Sequence, residues 1–178
     1  MHALAALALL LAQAGASAAS APPPPGATGP GAGKVSGKVT LDQKQCEFVP
    51  HVVALPAGAT LDIVNGDKVF HNVHARDGDR TVFNYAMPVP NHVIPKPLKQ
   101  PALLRVTCDV HPWMRAWVDV LPTTAFAVTD EAGSYTISNV PPGKYTLRLW
   151  HERLGEKDQQ VEVKAGGTAS MDLQLTPR

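Results

Sequence analysis

Residues 108–114 read Cys-Asp-Val-His-Pro-Trp-Met, and an upstream stretch, residues 70–74, reads Phe-His-Asn-Val-His. The downstream stretch offers a thiolate, an imidazole and a thioether, and the upstream stretch adds a distant imidazole. Soft sulfur ligands favour copper, and two His and one Cys with a weak axial Met are typical of copper sites that transfer electrons. The spacing therefore predicts a mononuclear copper site in which one His comes from a separate strand and the other ligands share one closing loop.

The order of these residues resembles the cupredoxin family. Cys108, His111 and Met114 follow the short ligand-loop pattern Cys-x-x-His-x-x-Met of amicyanin-type members, and Pro112 fits the same pattern. The His-Asn-Val-His run is similar to the segment that carries the first copper His, so the resemblance assigns His71.

The resemblance continues upstream of the ligands. Residues 48–50 and 57–65 are similar to the plastocyanin run that precedes the first ligand His, so the resemblance covers roughly residues 44–121. It implies a Greek-key β-sandwich and an exported type 1 (blue) copper protein, which carries single electrons between redox partners as Cu(I) and Cu(II). The implied copper ligands are His71, Cys108, His111 and Met114.

Three neighbours of the ligands also receive roles from the resemblance. Asn72 is similar to the cupredoxin Asn that ties the two ligand segments together by hydrogen bonds. Pro112 and Trp113 would form part of an apolar surface around His111, where a redox partner protein docks. We expect His74 beside the site or at the surface, and the roles of His51 and His151 stay open.

Cys46 departs from the family pattern, because amicyanin- and plastocyanin-type cupredoxins lack a Cys at that position. It is a candidate disulfide partner of Cys108, an additional ligand or a small buried hydrophobe. A disulfide would remove the thiolate, and an exported chain permits one. Two other functions therefore stay open: a copper-binding or copper-delivery protein, and a metal-free structural or carbohydrate-binding-like surface module with a Cys46–Cys108 disulfide.

Alternating Val-rich runs predict an all-β chain. The 17 Pro and 14 Gly punctuate the chain, and no stretch keeps a helical stripe beyond two turns. Between the ligand stretches, residues 77–100 carry prolines two residues apart, which a central strand does not accept. We interpret that segment as a loop with one short strand at most. The clearest strand patterns lie at residues 35–41, 60–64, 103–107 and 116–121.

The composition changes after Pro122. Residues 126–137 and 139–147 are similar to the Thr-Asp-x-x-Gly-x-Tyr and Val-Pro-Pro-Gly-x-Tyr-x-Leu pieces of the carboxypeptidase regulatory-like domain, a small transthyretin-like sandwich without catalytic zinc ligands. Residues 126–137 are interpreted as two strands around an Asp-Glu-Ala-Gly turn, and alternation at residues 161–163 and 169–175 predicts the last strands. This gives a cupredoxin-like domain at 34–121 and a regulatory-like domain at 122–178. Residues 34–41 also fit the first strand of the second module, so tandem modules and shared strands both stay open.

The chain starts with an export-signal pattern. An apolar run at residues 3–12 is followed by Ala-Ser-Ala, so residues 1–21 are interpreted as a signal peptide for a periplasmic or secreted protein. Residues 22–33 are a Pro/Gly-rich linker.

Charge and motifs exclude several function classes. The 16 basic and 15 acidic residues form no basic stripe, which argues against a nucleic-acid partner. The sequence shows no phosphate loop, paired-carboxylate motif or nucleophile elbow. We therefore predict a protein that is not an enzyme and that has no evident small-molecule substrate.

Overall fold

The computed structural model describes the backbone of residues 7–12 and the whole of residues 38–176. The described residues fall into two compact units: one lies within Ser36–Thr124, and the other combines residues 7–12 with residues 125–176. The strands in chain order are β1 (Leu7–Ala12), β2 (Val39–Lys44), β3 (Glu47–Val49), β4 (Val52–Pro56), β5 (Thr60–Asn65), β6 (His71–Asp77), β7 (Arg80–Met87), β8 (Val93–Pro97), β9 (Ala102–Thr107), β10 (Arg115–Leu121), β11 (Phe126–Val128), β12 (Gly143–His151) and β13 (Gly155–Val163).

The prediction of an all-β fold is confirmed, since none of the described residues lies in an α-helix. Across those same residues, no helix reaches the length and apolarity that crossing a bilayer requires.

The Ser36–Thr124 unit is a sandwich of two sheets. One sheet has five strands in the order β4-β10-β9-β6-β7, and the other has four in the order β3-β2-β5-β8. The β4–β10 and β2–β5 pairs are parallel, whereas the other pairs are antiparallel. Both sheets contribute to one apolar core, in which fully buried members include Leu41, Ile63, Val73, Leu104 and Val118.

The prediction of a loop over residues 77–100 is wrong for much of that segment. It contains β7, which pairs with β6 at the edge of the five-stranded sheet, and β8, which pairs with β5 at the edge of the other. Pro95 and Pro97 lie in β8. An edge strand bonds on one side only, so it accepts residues that lack an N–H.

The second unit contains one four-stranded antiparallel sheet in the order β11-β1-β12-β13. Strand β1 belongs to the predicted signal peptide; the rest of that segment and residues 22–33 lie outside the described residues. Residues 39–41, for which a place in this sheet stayed open, instead lie in β2, which pairs with β3 and β5.

Two predicted strands of the second unit are absent from the described structure. Residues 134–137 and 169–175 form no strand, although their sequences alternate. Their apolar side chains pack against Leu147 and Leu149, so the alternation marks one buried face without a hydrogen-bonded ladder. The side chains concerned are Tyr135, Ile137, Met171, Leu173 and Leu175.

We predict that Leu104→Ala lowers the free energy of unfolding of the first sandwich by about 2–5 kcal/mol, because it opens a cavity in a core that cannot collapse fully. Leu104 is 1% exposed on β9. In a Trp150→Phe background, the fluorescence of Trp113 and Trp117 reports this unit during urea unfolding. Val89→Ala is the matched control, because Val89 is 56% exposed. A Leu104→Ala change as small as that of the control would contradict this core assignment.

Candidate metal centre

The two ligand stretches meet because of strand direction. His71 is the first residue of β6, and Cys108 follows the last residue of β9. The two strands are antiparallel, with His74 opposite Thr107. In an antiparallel pair the start of one strand lies beside the end of its neighbour. The two stretches therefore lie at the same end of the sandwich.

Residues 108–114 form a tight connection between β9 and β10. The N–H of Met114 donates to the carbonyl of His111 at 2.9 Å, and the N–H of Cys108 donates to the carbonyl of Met114 at 3.4 Å. Thr107 pairs with Arg115 at the base of the loop. The loop thus turns back on itself and brings the backbones of its two ends together.

Three of the four predicted ligands have their donor atoms close together. The Nδ1 atoms of His71 and His111 are 3.0 Å apart, and Cys108 Sγ lies 3.6 Å from His111 Nδ1. The three donor atoms all lie within 4.8 Å of one another. His71 and Cys108 are buried, whereas His111 is half-buried. Met114 is 1% exposed and belongs to the same core cluster as Cys108.

The ring of His71 is fixed by a carboxylate on its far side. Its Nε2 lies 3.0 Å from Oδ2 of Asp67, and the ring is fully buried. When Nε2 carries the proton and donates it to Asp67, Nδ1 keeps its lone pair free for a ligand. A carboxylate or carbonyl in this position is the usual way in which proteins orient a metal-binding imidazole.

Asp67 also holds the turn between β2 and β3. Its two carboxylate oxygens accept the N–H groups of Gln45 and Cys46, each at 2.8 Å. Partial burial raises the pKa of Asp67, but hydrogen bonds from the Cys46 N–H, the His71 ring and the Gln45 N–H outweigh it and bring the pKa below its ordinary value. The carboxylate is therefore ionised at neutral pH.

Asn72 makes hydrogen bonds from the start of β6 to the loop that follows β9. Its side-chain oxygen accepts the N–H of Asp109, and its Nδ2 donates to Oδ2 of Asp109 at 2.8 Å. Its own backbone N–H points at Cys108 Sγ across 3.5 Å.

Asp109 extends this contact into a polar network. Its carboxylate lies 3.0 Å from Nδ1 of His74, whose Nε2 lies 2.8 Å from Oγ1 of Thr81. Partial burial raises the pKa of Asp109, but hydrogen bonds from His74, Asn72 and Asn84 lower it below its ordinary value. Asp109 lies within the ligand stretch 108–114, but the cupredoxin ligand pattern assigns that position no role, so the sequence analysis did not predict this network.

Pro112 and Trp113 are both exposed on the loop beside His111. The Trp113 ring lies 5.2 Å from the His111 ring between centroids. Its Nε1–H donates to the carbonyl of Cys46 at 3.1 Å, so the ligand loop and the β2–β3 turn are linked.

Cys46 lies at this same end of the sandwich, and the structure contains no bond between it and Cys108. Both thiols are free, with Cys46 half-buried and Cys108 buried. Cys46 groups with Asp67 and His71, with one donor atom from each within 4.8 Å of the others. The sequence analysis gave Asp67 no role, because its contact with Cys46 joins residues that lie 21 positions apart in the chain.

The other histidines lie outside both donor groups of the described residues. His51 Nδ1 lies 3.1 Å from the carbonyl of Arg115. His151 is buried, and its Nδ1 accepts the N–H groups of Arg153 and Leu154 in the turn that follows β12. Both rings therefore form hydrogen bonds with nearby backbone groups through Nδ1.

We predict that Asn72→Ala lowers the free energy of unfolding of the first sandwich by about 1–3 kcal/mol, because the buried Asn72 side chain makes two hydrogen bonds to Asp109 of the ligand loop and both are lost. Asn84→Ala is the control, since this exposed residue also contacts Asp109 but does not bridge the segments; its effect should stay below about 1 kcal/mol. Urea unfolding in the Trp150→Phe background measures both. Equal losses for the two variants would contradict the bridging role of Asn72.

Comparison with known proteins gives a family match and several structural matches. Residues 111–176 match the family model of the carboxypeptidase regulatory-like domain. This match begins inside the ligand loop and includes β10, which the structure pairs with β4 and β9. A search of curated protein sequences gives no significant match.

The solved structures that match lie over about half of the chain. A Cu-containing nitrite reductase (NirK) from Thermus scotoductus is 21% identical over 47% of this chain and 22% of its own, with a TM-score of 0.42. A purple cupredoxin from Nitrosopumilus maritimus is 18% identical over 47% of this chain and 100% of its own, with a TM-score of 0.41. Amicyanin from Paracoccus versutus is 22% identical over 48% of this chain and 83% of its own, with a TM-score of 0.43.

The family model confirms the resemblance predicted for the second module. The matched structures include a cupredoxin and an amicyanin, the kinds of protein that the ligand motif resembles. The chain thus combines similarity to cupredoxins in its first half with similarity to the carboxypeptidase regulatory-like domain in its second.

Proposed function

We propose that this protein is a type 1 copper protein that carries single electrons between redox partners outside the cytoplasm. The observation that supports the proposal most is the convergence of the His71, His111 and Cys108 donor atoms at one end of the sandwich. Met114 is proposed as the weak axial ligand. The proposed role is carriage of electrons and not turnover of a substrate.

The donor set fits a copper ion in both chemistry and spacing. One thiolate and two imidazoles, with a thioether nearby, form the combination that favours copper among the first-row metals. Ligands that share an ion at bonds near 2.0–2.3 Å stand roughly 3.3–3.8 Å apart. The Cys108–His111 separation of 3.6 Å is within that range, and the His71–His111 separation of 3.0 Å needs only a slight opening.

A bound copper ion would supply a centre that gains and loses one electron. The contribution of the chain is to hold the ligands still, because transfer is fast when the ligand geometry hardly changes between oxidation states. Asp67 fixes the plane of the His71 ring through Nε2. Asn72 anchors the start of the ligand loop, because it bonds both the backbone N–H and the carboxylate of Asp109.

The surface around His111 supports docking of a protein partner. Trp113 is 63% exposed beside the His111 ring, and Val110 in the same loop is also exposed. Val69 and Phe70, directly before His71, add exposed apolar side chains. Because the net charge is only +1, steering by the field of the whole protein is weak, and docking would depend on this apolar patch.

The proposal also covers the location of the protein outside the cytoplasm and the reduced state of its two thiols. The signal-peptide pattern of residues 1–21 supports action in the periplasm or outside the cell. The rival metal-free reading requires a Cys46–Cys108 disulfide, whereas both thiols are free in the structure.

We predict that Cu(II) added to the reduced protein produces an intense thiolate-to-copper absorption band in the visible region. Cys108→Ser should abolish the band, because it removes the thiolate that donates charge to the metal. Visible absorption at stoichiometric Cu(II) measures the effect.

The control for this experiment is Met114→Leu, which keeps the volume of a buried side chain but removes the thioether. It should keep the colour and shift the reduction potential, since the axial ligand tunes that potential. A colourless Cu(II) adduct of the fully reduced wild-type protein would contradict the blue-copper proposal. Tight binding without colour would instead favour the copper-delivery function.

We also predict two free thiols in freshly purified, full-length protein kept anaerobic. Alkylation followed by mass spectrometry counts them before and after copper loading, and bound copper should slow alkylation of Cys108 because its sulfur is then a ligand. A quantitative Cys46–Cys108 bridge in the native protein would contradict the assignment of Cys108 as a ligand.

A further inference from the structure

A second group of donor atoms lies behind His71. Cys46 Sγ, a carboxylate oxygen of Asp67 and a ring nitrogen of His71 lie within 4.8 Å of one another. The Nε2 of His71 faces this group, because it lies 3.0 Å from Oδ2 of Asp67, while Nδ1 faces His111 on the other side. The same ring therefore presents one nitrogen to each donor group.

The backbone of Cys46 is held in place by its turn and by hydrogen bonds. Gln45 and Cys46 both adopt positive φ, 54° and 55°, as a two-residue hairpin turn between β2 and β3 requires. Asp67 accepts both of their N–H groups, and Trp113 donates to the Cys46 carbonyl. The turn is thus fixed from two sides, and the position of Cys46 relative to His71 follows from it.

Thiolate, carboxylate and imidazole are the three side-chain donors of zinc sites, and three protein ligands leave a fourth tetrahedral position for water. The site is half-buried at Cys46 and Asp67, so solvent reaches it. A metal ion here would gain a rigid turn as its platform, which reduces the ordering cost of binding.

We propose that Cys46, Asp67 and His71 form a second metal site, which binds a divalent ion of the zinc class and shares the His71 ring with the first donor group. Binding replaces the Nε2–H···Asp67 hydrogen bond by bonds from both residues to the ion. When copper occupies Nδ1, the protons of the Cys46 thiol and of His71 Nε2 would both leave to solvent, so zinc binding would release two protons. Without copper, the ring proton would move to Nδ1 and only the thiol proton would be released. With copper in the first group, the His71 imidazolate bridges the two metals.

This site goes beyond electron carriage, because it makes the first group responsive to a second ion. Loss of the Nε2 proton makes the His71 ring a more strongly donating ligand, so zinc should shift the copper absorption band and potential. The ligands of the two groups overlap only at His71, and each group has its own cysteine. Those two cysteines give a clean way to test the groups separately.

The first experiment adds Co²⁺ to full-length Cys108→Ser, in which the first group lacks its thiolate. We expect one equivalent of Co²⁺ to bind with a thiolate-to-cobalt absorption band from Cys46. The double variant Cys46→Ser/Cys108→Ser is the matched control and should lack the band. Ser keeps the size of the side chain and the backbone N–H that bonds Asp67, and circular dichroism checks that both variants are folded. Identical, bandless spectra for the two variants would overturn the proposal.

The second experiment adds Zn²⁺ to the copper-loaded protein during equilibrium dialysis. We expect about one Zn²⁺ per chain in the wild type, together with a shifted copper band, and no Zn²⁺ at the same concentration in Cys46→Ser. Zinc uptake that is equal in both proteins would place the ion elsewhere and overturn the proposal. If copper gives no colour but Cys108→Ser still binds Co²⁺ through Cys46, the proposed electron-carrier function fails while the second site stands.

Discussion

The site depends above all on the hydrogen bonds between Asn72 and Asp109. Pairing of β6 with β9 brings His71 and Cys108 to one end of a sheet, but a sheet aligns strands and leaves the following loop free. The Asn72 amide fixes that loop because it bonds both the backbone and the side chain of its second residue, Asp109. The backbone N–H of Asn72 reaches the Cys108 sulfur at the same point. One residue thus sets the distance between the two ligand segments.

Burial of the His71 ring imposes the next constraint. A fully buried imidazole needs partners for both nitrogens, since burying a polar group without a hydrogen bond destabilises the fold. The far nitrogen meets Asp67, and Asp67 in turn organises the Gln45–Cys46 turn. The requirement to satisfy one ring therefore extends to a hairpin distant in sequence, and it explains why Cys46 lies beside the site.

The sequence predicts those features that depend on spacing along the chain. The loop residues Cys108, His111 and Met114 are close in sequence, so their pattern predicts a shared loop without knowledge of the sheet. By contrast, β7 and β8 were missed. The prolines of β8 exclude a central strand but not an edge strand, and which strands lie at an edge depends on the order of the whole sheet. Asp67 and Asp109 were also missed as site neighbours, since their partners Cys46 and His74 lie 21 and 35 residues away along the chain.

The distribution of donors separates the roles of the two units. In the part of the chain that the structure describes, both groups of metal-ligand side chains lie within Ser36–Thr124. The second unit is organised around Leu147 and Leu149, and its buried histidine caps a turn with two backbone N–H groups. A ring that accepts two N–H groups through Nδ1 cannot offer that lone pair to a metal. The metal chemistry proposed for this protein therefore depends on the first sandwich, and the regulatory-like unit contributes a packed β-structure beside it in the chain.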